Sequence, residues 1–88
     1  MAAIDLQPIP VRTGCNDRIG RLVLIDGQLV AVLVRLDDEI HQADEGKWFL
    51  ELAFGPLQGK ETFENLDEAK EWIKERVAAS SSRIGYFL

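Results

Sequence analysis

The amino-acid sequence predicts an α+β fold: a three- or four-stranded antiparallel meander sheet with one C-terminal amphipathic helix packed on one face. Two features carry this expectation. A pair of β-rich runs, Leu22 to Ile25 and Leu29 to Val34, flanks Asp26-Gly27, the dipeptide that best closes a tight hairpin. Farther on, apolar residues recur at helical spacing after a capping residue at Asn65.

Residues 1 to 20 contain Pro8, Pro10, Gly14 and Gly20 and no sustained period, so they read as an irregular or partly ordered lead-in. Strands are expected near residues 21 to 26 and 28 to 36, joined by a type I′ turn whose two central residues need positive φ. The second of these strands is apolar on both faces, because Leu29, Ala31 and Leu33 alternate with Val30, Val32 and Val34. A strand covered by one helix alone should carry a polar outer face. This one therefore asks for a second cover, from the chain's own ends or from another subunit.

Residues 37 to 46 are polar and acidic and end in Gly46, which marks a loop. A third strand is expected from 47 to 54, with Trp48, Leu50, Leu52 and Phe54 toward the helix and Phe49, Glu51 and Ala53 opposite. Gly55-Pro56 breaks it, and residues 60 to 63 supply a short fourth strand. At the helix start Asn65 caps free amides, and Glu68 stands three residues later as in a capping box. Leu66, Ala69, Ile73 and Val77 form the buried stripe, with Trp72 at its edge and Arg76 stretched along it. Ser80-Ser81-Ser82 has low helix propensity and predicts the end near residue 79. The domain then spans 21 to 79, followed by a Ser-rich linker and the apolar tail Ile84 to Leu88.

An 88-residue chain has room for one hydrophobic core. Its single cysteine, Cys15, has no internal partner, which favours a reducing, cytoplasmic location. No apolar run has the length of a membrane span, and the N-terminal ten residues lack the apolar stretch of a signal peptide. The net charge is −5. Its distribution is uneven: Arg12, Arg18, Arg21 and Arg35 outnumber three aspartates up to residue 36, and acids dominate thereafter. An acidic total opposes non-specific binding to phosphate backbones, which depends on Lys and Arg.

A few residues invite a chemical reading. His41 lies among Asp37, Asp38, Glu39, Asp44 and Glu45, yet no EF-hand spacing is present, so a solvated loop is the expectation rather than a metal site. Cys15 has Arg12 and Arg18 nearby, which favours a thiolate, but a nucleophile also needs a base and an orienting group. The glycines at 14 and 20 match neither a P-loop nor a dinucleotide fingerprint. Core packing accounts for Trp48 and Phe54, which leaves Phe49 as the single candidate for stacking on a base. Thr62 to Ala69 resembles the strand-to-helix junction of small bacterial domains, the HicB-type antitoxins among them; the same letters follow from helix capping, and no family is assigned from so short a stretch.

The sequence thus predicts a non-enzymatic protein-interaction module without catalytic residues, metal or cofactor, self-associating as a homodimer through an apolar sheet face or edge. The expected surface is Val30, Val32, Val34, Phe49, Tyr86, Phe87 and Leu88. The alternative is a nucleic-acid-binding regulator that contacts phosphates through the N-terminal arginines.

Overall fold

The computed structural model describes residues 3–55, 57 and 62–84, the last five of them as helix backbone only. Five strands, β1 (Ile4–Pro10), β2 (Ile19–Ile25), β3 (Gln28–Arg35), β4 (Trp48–Ala53) and β5 (Thr62–Phe63), precede the helix α1 (Leu66–Ile84). They form one antiparallel sheet in the order β1-β2-β3-β4-β5, the meander expected of neighbours joined by short connections.

The hairpin between β2 and β3 closes as the turn chemistry requires, with Asp26 at φ 52° and Gly27 at φ 82°. Helix α1 starts where the capping signal stands. Asn65 Oδ1 accepts the Glu68 amide at 2.8 Å, and the Glu68 carboxylate in turn accepts the Glu64 amide at 2.5 Å. That return bond reaches one residue farther back than in the usual capping box.

The lead-in is ordered in its first part, and residues 11 to 18 carry no regular secondary structure. Residues 4 to 10 pair along their whole length with β2, from Ile4 opposite Ile25 to Pro10 opposite Ile19. Two prolines are tolerated because β1 is an edge strand. Val11 donates to Arg18 O at 3.0 Å and Ala3 O accepts from Asp26 at 2.9 Å, so the odd-numbered residues point their amides and carbonyls toward β2. Pro8 and Pro10 fall at outward positions, where the missing N–H breaks no ladder bond. The other terminal expectation also shifts: α1 continues through Ser80-Ser81-Ser82 to Ile84. Serine costs a helix only about 0.5 kcal/mol per residue relative to alanine, whereas glycine and proline are real stops, and no such stop occurs before Gly85. Residues 85 to 88, with Tyr86, Phe87 and Leu88, lie outside the described residues.

The core forms between α1 and one face of the sheet. Val23, Ile25, Ala31, Leu33, Trp48, Leu57, Phe63, Ala69 and Ile73 are all buried in a single cluster. Phe63 and Trp72 pack with ring centroids 5.5 Å apart and tilted by 58°, a geometry that aromatic quadrupoles favour. The Arg76 guanidinium lies 4.8 Å from the Trp72 ring centre, and that of Arg21 lies 5.1 Å from Trp48. Each arginine therefore lids an aromatic ring at the rim of the core.

Two irregularities redistribute the side chains. Between β2 and β3 the register moves so that Val30 is the extra residue, and Val30 turns to pack on the core rather than on the opposite face. Between β3 and β4, Leu33 pairs with Leu50 and Val32 with Leu52, which leaves Glu51 extra. Trp48 and Leu50 face the helix as the alternation predicts, but past the bulge Ala53 takes the inward position. Leu52 and Phe54, expected in the core, are 46% and 50% exposed on the outer side. A single inserted residue reverses every side chain beyond it, because the pleat has a period of two.

Candidate functional site

Across β2, β3 and β4 the sheet face turned away from α1 is mostly apolar, and it is flanked by Asp5 and Gln7 of β1 on one side and Thr62 of β5 on the other. The register places Leu22, Val32 and Leu52 side by side across three strands, with Val34 and Phe49 next to one another one pleat farther along. Leu24 and Leu29 extend the row toward the hairpin. No helix among the described residues covers this face. Among the described residues its end near Val34 is the most closed in, and Val34 is buried there.

That closure comes from the connection between β1 and β2. Val11 folds over Gly20, where a Cβ would stand 2.8 Å from Val11 Cγ1 and 3.1 Å from the Ile9 carbonyl oxygen. Glycine at position 20 is what lets the connection lie down on the sheet. The buried carboxylate of Asp17, 5% exposed, then ties it to the segment that follows β3. Asp17 Oδ1 accepts the amides of Asp37 at 2.7 Å and Asp38 at 2.8 Å, while Oδ2 lies 2.6 Å from His41 Nε2. Thr13 Oγ1 donates to the Asp17 carbonyl at 2.7 Å, and the Asn16 amide donates to Asp38 Oδ2 at 3.0 Å.

Burial by itself raises the pKa of the Asp17 carboxyl, but the Asp38 amide, the His41 ring, the Asp37 amide and the Cys15 thiol all favour the anion. The balance holds Asp17 below its ordinary carboxylate range. Asp38 is likewise lowered, first by the Asn16 amide and then by that of Ile40. His41 sits in a short 3₁₀ segment, Glu39–Asp44, in which Gln42 takes positive φ.

His41, distant in the sequence, thus reaches the Asp17 carboxylate two residues from Cys15. Nucleophilic catalysis couples a thiol to the imidazole and the imidazole to a carboxylate. Here the imidazole and two backbone amides address Asp17 itself, and the Cys15 thiol lies 3.2 Å from Thr13 Oγ1, which is the geometry of a clasp between two loops. Among the described residues no group of three His, Cys, Asp or Glu side chains is placed to hold a metal ion.

Between these loops and the open strands lies a groove of about 820 Å³. Its floor is Val32, Val34 and Phe49; Val11, Arg12 and Thr13 form one wall, Glu51 and Thr62 the other, and His41 and Asp44 close the end. Of the surface residues expected from the sequence, Val32, Val34 and Phe49 therefore come together. Val30 is diverted to the core, and Tyr86, Phe87 and Leu88 fall outside the described residues. Asp17, Gly20, Glu51 and Leu52 join the site without having been expected there. Leu22 and Leu24 were detectable as the outward set of a second strand that is apolar on both faces; Asp17 offers no such signal, because its partners are twenty or more residues away.

The arginines do not gather. Arg21 is stacked on Trp48 and Arg35 pairs with Asp37 at 2.8 Å. Arg12 and Arg18 border the hollow beside Cys15, and Arg18 and Arg21 border another along β1. No helix among the described residues is long and apolar enough to cross a membrane. Comparison with known proteins finds no match to this chain among family models, curated proteins or solved structures, so the reading of its function rests on its own residues.

Proposed function

We propose that this chain is a non-enzymatic protein-interaction module that associates with itself through the sheet face opposite α1. The observation that carries the proposal is the apolar row Leu22, Val32, Leu52 and Phe49, on which no helix among the described residues packs, continuous with the groove beneath Val11. Folded monomers rarely leave a contiguous apolar patch of more than a few hundred square ångströms in water. Burying such a face also matters most in a short chain, whose own core covers a smaller fraction of its surface.

The face is favoured over the edge. Pro8 and Pro10 stand at the outward amide positions of β1, and β5 at the other edge has only two residues. Edges so treated resist strand addition. A reducing compartment fits the single Cys15, and the proposed role needs no metal or cofactor.

Light scattering over a dilution series tests the proposal. The full chain is expected to dissociate from dimer to monomer as it is diluted, and Leu52→Lys, at a position already 46% exposed, is expected to be a folded monomer throughout. A wild-type monomer at every concentration would remove this reading. The nucleic-acid alternative has the support of the exposed Arg12 and Arg18 alone. Salt-sensitive binding to single-stranded oligonucleotides, lost in Arg12→Ala/Arg18→Ala, would favour it instead.

A further inference from the structure

Resting on that reading, we infer that the two copies meet about a two-fold axis running along β3, so that Arg12 of each copy pairs with Glu51 of the other. The other charged or titratable side chains that line the groove are already satisfied within the chain: Asp17 holds His41, and Asp44 holds Lys47 at 3.0 Å. Arg12 and Glu51 are exposed, line the same groove, and make no hydrogen bond or ion pair among the described residues. One is positive and one negative, and they stand on opposite walls.

Their separation follows from the sheet order. Arg12 extends from the connection that lies over Gly20 of β2, and Glu51 is the bulged residue of β4, with β3 between them. Neighbouring strands are about 4.8 Å apart, so the two walls stand about 10 Å apart, and among the described residues the two side chains form no ion pair with each other. Rotation by half a turn about an axis parallel to β3 exchanges the β2 side with the β4 side. Each Arg12 then faces Glu51 of the second copy, twice over, as an isologous contact requires. Val32 on β3 meets its counterpart near the axis, Phe49 of each copy faces the β2 side of the other, and both α1 helices stay outside, giving an aligned sheet-on-sheet stack with strands within about 30° of one another.

Rim ion pairs of this kind add little affinity, but like charges placed opposite one another oppose association strongly. The pair therefore sets which orientation of an otherwise featureless apolar face is used. The experiment is a charge swap on the full chain, read by dimer dissociation constant in analytical ultracentrifugation, with circular dichroism confirming that each variant folds. Arg12→Glu and Glu51→Arg alone are each expected to weaken the dimer by about tenfold or more, and the double variant Arg12→Glu/Glu51→Arg to return within about threefold of wild type. A dimer broken by Leu52→Lys but indifferent to the single charge reversals, or not rescued by the double, would overturn the pairing and leave the face as the interface. A wild-type chain that is monomeric at all concentrations would overturn both.

Discussion

Replacing Asp17 by alanine is the most direct perturbation of the architecture that shapes the groove. The carboxylate is buried and makes three bonds, two from the backbone amides of Asp37 and Asp38 and one to the His41 ring. Hydrogen bonds to a charged group each contribute about 1.5–3 kcal/mol, and orphaned buried amides add a desolvation cost of about 1–3 kcal/mol. The amides here regain water as the loops part, so the sum is truncated, and a loss of about 3–4 kcal/mol is expected. For a chain whose whole stability is about 4–13 kcal/mol, that is a large share. It corresponds to a fall in Tm of about 12–32 °C, taking about 4–8 °C per kcal/mol for a domain of this size. Urea denaturation followed by circular dichroism measures it.

The pH dependence has a definite sign. Asp17 has a folded pKa below its ordinary value of 3.8, so its contribution is fully present above about pH 4–5 and fades as pH falls through the folded value. Wild type and Asp17→Ala should therefore differ most near neutrality and converge in acid. A neutral-pH loss below about 1 kcal/mol, or a difference that grows on acidification, would show that something other than this carboxylate joins the two loops.

Gly20→Ala should destabilise by about 1–3 kcal/mol, because its Cβ would meet Val11 Cγ1 at 2.8 Å; adding Val11→Ala should recover part of the loss in the same denaturation assay. Asn65→Ala removes the cap on the Glu68 amide and should cost about 1 kcal/mol, measured by thermal melting. Gly27→Ala, at φ 82°, should cost about 1–2 kcal/mol by forcing a side chain into the left-handed region. Pro8→Thr/Pro10→Thr restores two outward donors on β1, and static light scattering should register higher-order association that the wild type lacks.

Local chemistry governs the features that were legible in the amino-acid sequence alone. Asp26-Gly27 accepts positive φ at both positions at little cost, so it made the hairpin readable. Asn65 with Glu68 did the same for the first turn of α1, and the spacing of Leu66, Ala69 and Ile73 for its buried stripe. The doubly apolar β3 announced that the sheet has two faces to bury. Everything that depends on which strands meet, and in what register, was decided by the tertiary structure. Pro8 and Pro10 argue against a strand until β1 is known to be an edge whose prolines point outward. The alternation in β4 cannot reveal that Glu51 is bulged, since a bulge is a mismatch between two strands and exists only in the pair; it moved Leu52 and Phe54 to the open face. Asp17, the residue that holds the groove in shape, is indistinguishable in sequence from any loop aspartate, and acquires its role only when Asp37, Asp38 and His41 arrive around it.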